Sequence, residues 1–149
     1  MFQSRYWLAA LVCLFASLVT LPAQAGQYIF GNYIVHYNAL NTDTLAPEVA
    51  RQYQIKRSKN RGMFNISVQK RVPGQLGQAV TAKIAGQAIN LNAQTKQMQP
   101  REIKEGPAIY YIGEFPVSDR ETMDFTFDIT PQGEQQPFTL HFRQTFYVH

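Results

Sequence analysis

At 149 residues the chain is long enough for one domain with its own core and too short for two. Its 45% apolar content excludes a disordered chain, and its 10 Phe and 8 Tyr favour strands over helices. A formal net charge of +4, one unit lower without Arg5, is too small an imbalance to argue for nucleic acid as a partner.

Residues 1 to 25 read as a cleaved signal peptide. Arg5 supplies a positive n-region, and Tyr6 to Leu21 is an apolar run broken only by Ser17 and Thr20. Ala23-Gln24-Ala25 fits the small-x-small pattern for cleavage, which places the mature N-terminus at Gly26. The rival is an uncleaved anchor. Lipoprotein processing fits poorly, because Cys13 lies inside the apolar run behind a bulky Val12. Cys13 is the only cysteine and leaves with the leader. The mature chain, residues 26 to 149, therefore has no thiol chemistry, no disulfide and no membrane span.

The mature chain follows a period of two over most of its length. Tyr28 to Tyr37 is apolar on both faces and opens the domain. Asn41 to Arg61 breaks the pattern: Pro47 and Glu48 suit a short helix start, and a basic run follows. Phe64, Ile66 and Val68 then alternate with Asn65, Ser67 and Gln69. Gly86-Gln87 is read as the tip of a hairpin in which Ile84 faces Ile89, Ala82 faces Leu91 and Val80 faces Ala93. Gln97 to Ile103 is read as one edge strand, with Pro100 against a central place. Ala108 to Val117 has Ile109, Tyr111 and Phe115 on one side and Tyr110 and Ile112 on the other, as in a central strand. Met123, Phe125, Phe127 and Ile129 form one face of the next strand, and Phe138, Leu140, Phe142, Phe146 and Val148 one face of the last. Pro73-Gly74, Gly106-Pro107 and Pro131-Gln132-Gly133 mark turns. The expectation is an all-β, immunoglobulin-like sandwich of seven or eight strands with one helix or loop excursion; a small β-barrel is the alternative.

Several runs carry a resemblance. His36-Tyr37-Asn38-Ala39-Leu40-Asn41-Thr42-Asp43, Pro47 to Arg51, Arg57-Ser58-Lys59-Asn60-Arg61, Glu105 to Phe115 and Phe142 to Tyr147 resemble a family of exported gammaproteobacterial proteins, the domain of unknown function 4426. The likeness covers nearly all of the mature chain. It implies a periplasmic protein of this length and supplies no activity and no catalytic residue.

The residues themselves offer three chemistries. Arg51, Lys56, Arg57, Lys59 and Arg61 lie within eleven positions, with Ser58 and Asn60 among them. Arg57 and Arg61 could grip an anion by forked hydrogen bonds, so this segment is the candidate binding surface. Its target would be an anionic envelope component or an acidic envelope protein. The plain alternative is a solvated loop whose charges pair with Asp43, Glu48 or Glu105.

A copper-type metal site would need His36 and His141 to converge with Met63, Met98 or Met123. The plainer reading leaves His141 on a wet face beside Asp124 or Asp128, and His149 at a terminus. A small hydrolase would need Ser58, Ser67 or Ser118 beside a histidine, or two of Glu102, Glu105 and Glu114 paired across a cleft. No nucleophile motif surrounds these serines. The sequence favours a non-catalytic binding module without a cofactor, monomeric or weakly self-associating.

Overall fold

The computed structural model describes residues 25–149. Ten strands form two antiparallel sheets, and neither closes into a barrel. In chain order they are β1 (Ala25–Phe30), β2 (Tyr33–Asn41), β3 (Arg61–Lys70), β4 (Gln78–Ala79), β5 (Ala82–Asn90), β6 (Thr95–Met98), β7 (Arg101–Glu105), β8 (Ala108–Pro116), β9 (Glu121–Pro131) and β10 (Phe138–Phe146). A 3-10 turn (Thr42–Thr44) and helix α1 (Pro47–Gln52) stand between β2 and β3. The six-stranded sheet runs β1-β2-β3-β8-β7, with β4 added to the far end of β3. The four-stranded sheet runs β10-β9-β5-β6. This is the expected sandwich, with more strands than expected.

The alternation of residues explains the packing. Phe64, Ile66 and Val68 of β3 face Phe125, Phe127 and Ile129 of β9 in one core, joined by Tyr111, Phe115, Leu140 and Phe146. Aromatic rings carry contacts across the gap: Phe64 and Phe127 lie 4.7 Å apart, and Phe115 and Phe125 5.4 Å. Lys96 of β6 adds a polar clamp. Its Nζ donates to the Pro116 carbonyl of the opposite sheet at 2.7 Å and pairs with Glu121 at 2.9 Å. Burial pushes the Glu121 carboxyl up. Hydrogen bonds from Asn90, Lys96 and the Ser118 backbone, with the charge of Lys96, outweigh that effect and hold it below the usual carboxylate range.

Strand β8 lies between β3 and β7 and is apolar on both faces for a visible reason. Tyr111 and Phe115 enter the inter-sheet core, while Ile112 and Tyr110 join a second, smaller core on the outer face.

Three sequence expectations are corrected. Tyr28 to Tyr37 is not one strand but the hairpin β1–β2, turning at Gly31-Asn32, where Gly31 has φ +51°. Gln97 to Ile103 is not one edge strand but the crossing from β6 in one sheet to β7 in the other, with Pro100 between them. Gly86-Gln87 is not a turn. It lies inside β5, where Gly86 pairs with Phe127 on one side and Met98 on the other. A Cβ on Gly86 would stand 2.2 Å from the Phe127 ring, so glycine serves close approach here. An unbroken strand also turns Ile89 to the face opposite Ile84, which is why Ile89 is exposed, while Leu91 is exposed in the turn beyond the strand. The real turn follows Asn90, whose Oδ1 accepts the backbone N–H groups of Asn92 and Gln94 at 3.0 and 2.9 Å.

Candidate functional site

The excursion between β2 and β3 is built, not loose. Pro47 sits in the first turn of α1 with Glu48 beside it, as the sequence predicts. The helix and the irregular segment after it lay Ala50 and Ile55 over Met63 and Ile112 on the outer face of the six-stranded sheet, with Leu40, Leu45, Tyr53, Ile103 and Tyr110 at the margin. The excursion thus covers an apolar patch that an ordinary sandwich would leave wet.

One buried residue ties it down. Thr42 is fully buried, and its Oγ1 donates to the Lys56 carbonyl at 2.8 Å, with the Ser58 carbonyl at 3.2 Å. The same oxygen accepts the Ser58 N–H at 2.9 Å. Asn41 Nδ2 donates to the Lys59 carbonyl at 3.2 Å, and Val117 N–H donates to the Asn60 carbonyl at 2.9 Å. Sequence reasoning missed Thr42, because a threonine beside a turn carries no signal of burial.

The side chains of the basic segment divide into two groups. Arg51, Lys56, Arg57, Lys59 and Asn60 are exposed, and Ser58 is half-buried with its Oγ accepting the Asn60 N–H at 3.2 Å. Arg57 donates to the backbone carbonyl of Asp43 at 2.9 Å. Among the described residues, Arg51, Lys56, Arg57 and Lys59 form no ion pair. Asp43, Glu48 and Glu105 form no ion pair with them; Glu105 instead accepts the Tyr53 hydroxyl. That hydrogen bond raises the Tyr53 pKa. Arg61 differs. It opens β3 and lies 3.5 Å from Glu114 of β8, so it serves the sheet and does not share a partner with Arg57.

The rival constellations do not assemble. His36 is on the outer face of the six-stranded sheet, with Nε2 3.3 Å from Gln69 Oε1. His141 is on the outer face of the four-stranded sheet, with Nδ1 3.1 Å from Thr126 Oγ1. The whole core separates them. Met98 and Met123 are buried in that core, and Met63 in the outer one. Among the described residues no three His, Cys, Asp or Glu side chains gather. His141 does face water, but Asp124 is taken by Arg143 at 2.6 Å and Asp128 by Thr139 at 2.8 Å. The carboxylates that a hydrolase would need to pair are also apart. Glu102 accepts the Tyr111 hydroxyl at 2.9 Å, and Glu105 and Glu114 stand six strand positions apart, about 20 Å. That exceeds the separation of any glycosidase pair. His36 is the cross-strand neighbour of Ser67, yet no hydrogen bond joins them.

Among the hollows along the outer face of the six-stranded sheet, two share lining residues. One, of about 230 Å³, lies between α1 and the strands and is lined mainly by Val49, Tyr53, Ile55, Met63, Ile103 and Ile112. The other, of about 180 Å³, is bordered by Gly26, His36, Asn38 and Ser67. Asn65 and Tyr110 line both.

The expected signal peptide, residues 1 to 25, lies outside the described residues apart from Ala25. Ala25 and Gly26 open β1 and pair with Asn38 and Tyr37. Among the described residues no helix is long and apolar enough to cross a membrane.

Solved structures share the fold. A family protein of Pseudomonas aeruginosa PAO1 is 31% identical, with 84% of this chain and 96% of that one covered and a TM-score of 0.71. FetP of uropathogenic Escherichia coli strain F11, expressed in the periplasm of E. coli, is 9% identical over 83% of this chain and 94% of its own, with a TM-score of 0.59. A copper-bound variant of FetP is 10% identical over 83% of this chain and 95% of its own, at 0.60. No curated protein gives a significant match. Residues 27–149 match the family model described as a domain of unknown function, DUF4426, and the chain belongs to that family.

Proposed function

We propose that this protein is an exported, non-catalytic binding module that works in the periplasm and recognises an anionic ligand or partner surface through the excursion. One observation carries the reading: Arg51, Lys56, Arg57 and Lys59 are exposed without a carboxylate partner on a segment whose backbone is fixed by buried Thr42. A fixed cluster of unneutralised cations costs repulsion and binds anions with little loss of freedom. The guanidinium groups of Arg51 and Arg57 suit phosphate or carboxylate oxygens. Arg61 stands 3.5 Å from Glu114 at the root of the segment.

The test is titration of the purified protein with tripolyphosphate at low salt. The double charge reversal Lys56→Glu with Lys59→Glu should weaken binding at least about tenfold and leave the melting temperature near its original value. Arg57→Lys should weaken it if the fork matters. Undiminished binding by the reversed variant rejects the reading. Export is tested separately by the mature mass, which should begin at Gly26; a leader still attached in the envelope fraction rejects cleavage.

Copper is bound by a variant of the fold neighbour FetP. In this chain His36 and His141 lie on the outer faces of opposite sheets, so those two side chains do not converge with a methionine.

A further inference from the structure

The outer face of the six-stranded sheet carries a second feature, independent of the exposed cations. Across β2, β3, β8 and β7 the outward residues run in register: Asn38 beside Asn65, Asn65 beside Ile112, and Tyr110 beside Ile103. The excursion roofs the half of this face nearest β7 and leaves the 230 Å³ hollow beneath it. Its walls are Val49, Ile55, Met63, Ile103 and Ile112, with the rings of Tyr53 and Tyr110 and with Glu105 beside Tyr53. Water gains little in such a space.

At the point where this hollow meets the 180 Å³ one stands the Asn65 carboxamide. Its Oδ1 is buried and has no hydrogen-bond partner. A buried acceptor without a donor is destabilising, and asparagine has no packing advantage over leucine in an apolar wall. The nearby Tyr53 hydroxyl does not relieve it, since it donates to Glu105. The cleft thus combines largely apolar walls with two polar groups, the unpartnered Asn65 carboxamide and the Glu105 carboxylate that takes the Tyr53 hydroxyl, the composition of a small-molecule site.

We propose that this groove binds a small organic molecule with a ring-sized apolar body and one O–H or N–H donor, the donor going to Asn65 Oδ1. The size follows from volume. An apolar cavity of about 150 Å³ accepts benzene, so 230 Å³ holds a substituted ring. Any extension of the ligand passes Asn65 and Tyr110 into the neighbouring hollow, toward His36 and Ser67. The proposal does not rest on anion binding by the excursion, and either can fail alone.

Phenol and anisole are the probes, because they share a ring and differ in the donor. The purified protein, labelled at methionine and isoleucine methyls, is titrated with each by NMR. Phenol should shift Met63, Ile103 and Ile112 saturably, and anisole should bind at least about fivefold more weakly, since a site built to hydrogen-bond a donor rejects the analogue lacking it. Asn65→Leu should abolish the difference between the two. Ile103→Trp, which fills the hollow, should remove the phenol response at Met63 while core signals such as Met123 stay in place. No saturable shift with phenol, equal affinity for both probes in the native protein, or undiminished phenol binding by Ile103→Trp would each overturn the proposal.

Discussion

Removing the Thr42 hydroxyl is the sharpest perturbation of the excursion. Thr42→Val keeps the branched shape and volume, and it deletes the oxygen that donates to Lys56 O and accepts the Ser58 N–H. Both partners are backbone groups in a partly buried setting, and each loses its bond. At about 0.5–1.5 kcal/mol for a hydrogen bond, and more where a buried group is left unpaired, the change should cost about 2–3 kcal/mol. Thr42→Ser keeps the oxygen and loses one methyl, worth about 0.8 kcal/mol. The predicted order is therefore wild type, then Ser, then Val, in midpoint of urea unfolding at constant slope. Hydrogen exchange should localise the effect. The Ser58 amide should lose protection in Thr42→Val, while the β9 amides keep theirs down to the global stability. If Ser is the worse substitution, Thr42 acts by packing and the excursion is not held by this hydroxyl.

Gly86→Ala should cost about 1–3 kcal/mol by overpacking, because the new methyl meets the Phe127 ring at 2.2 Å. Combined with Phe127→Leu the losses should be less than additive in a double-mutant cycle by urea unfolding; strict additivity would argue for a turn glycine instead. Tyr111 gives an alkaline signature. Burial pushes its hydroxyl up from 10.0 to about 12; the Ala82 N–H works the other way and Glu102 adds to the rise. The unfolded chain loses this proton first, so the contribution is fully present below about pH 10 and is lost as pH rises toward about 12. Tyr111→Phe should flatten that part of the stability profile, and an unchanged slope between the two pH values would contradict the burial of the hydroxyl.

Much of the sandwich was legible because one face of most strands is buried and the other wet. Phe64-Ile66-Val68 and Met123-Phe125-Phe127-Ile129 announce their inward faces by alternation alone. Strand β8 was legible for the opposite reason, since its two apolar faces serve two cores. Glycine misled where its role was space. Gly86 carries the same letter whether it turns the chain or makes room for Phe127, and only the partner strand distinguishes the two. The same holds for Pro100, which marks a change of sheet and not an interruption within one.

The basic segment was visible as composition, but its division was not. Arg57 and Arg61 are four positions apart, and only the β3–β8 pairing reveals that Arg61 meets Glu114. Thr42 and Asn65 were invisible as site residues, because their importance lies in burial and in what their oxygens touch. The two histidines could be placed on strands, but which sheet each strand joins is a long-range fact, and it puts them on opposite faces.

Backbone chemical-shift mapping with tripolyphosphate tests the anion-binding claim most directly. The account predicts saturable shifts concentrated at Arg51, Lys56, Arg57 and Lys59, their neighbours in the excursion and the amide of Thr42, whose hydroxyl anchors it. Shifts spread over exposed cations elsewhere, such as Arg120 and Arg143, in proportion to their exposure would contradict it and reduce the excursion to a cover for the outer core.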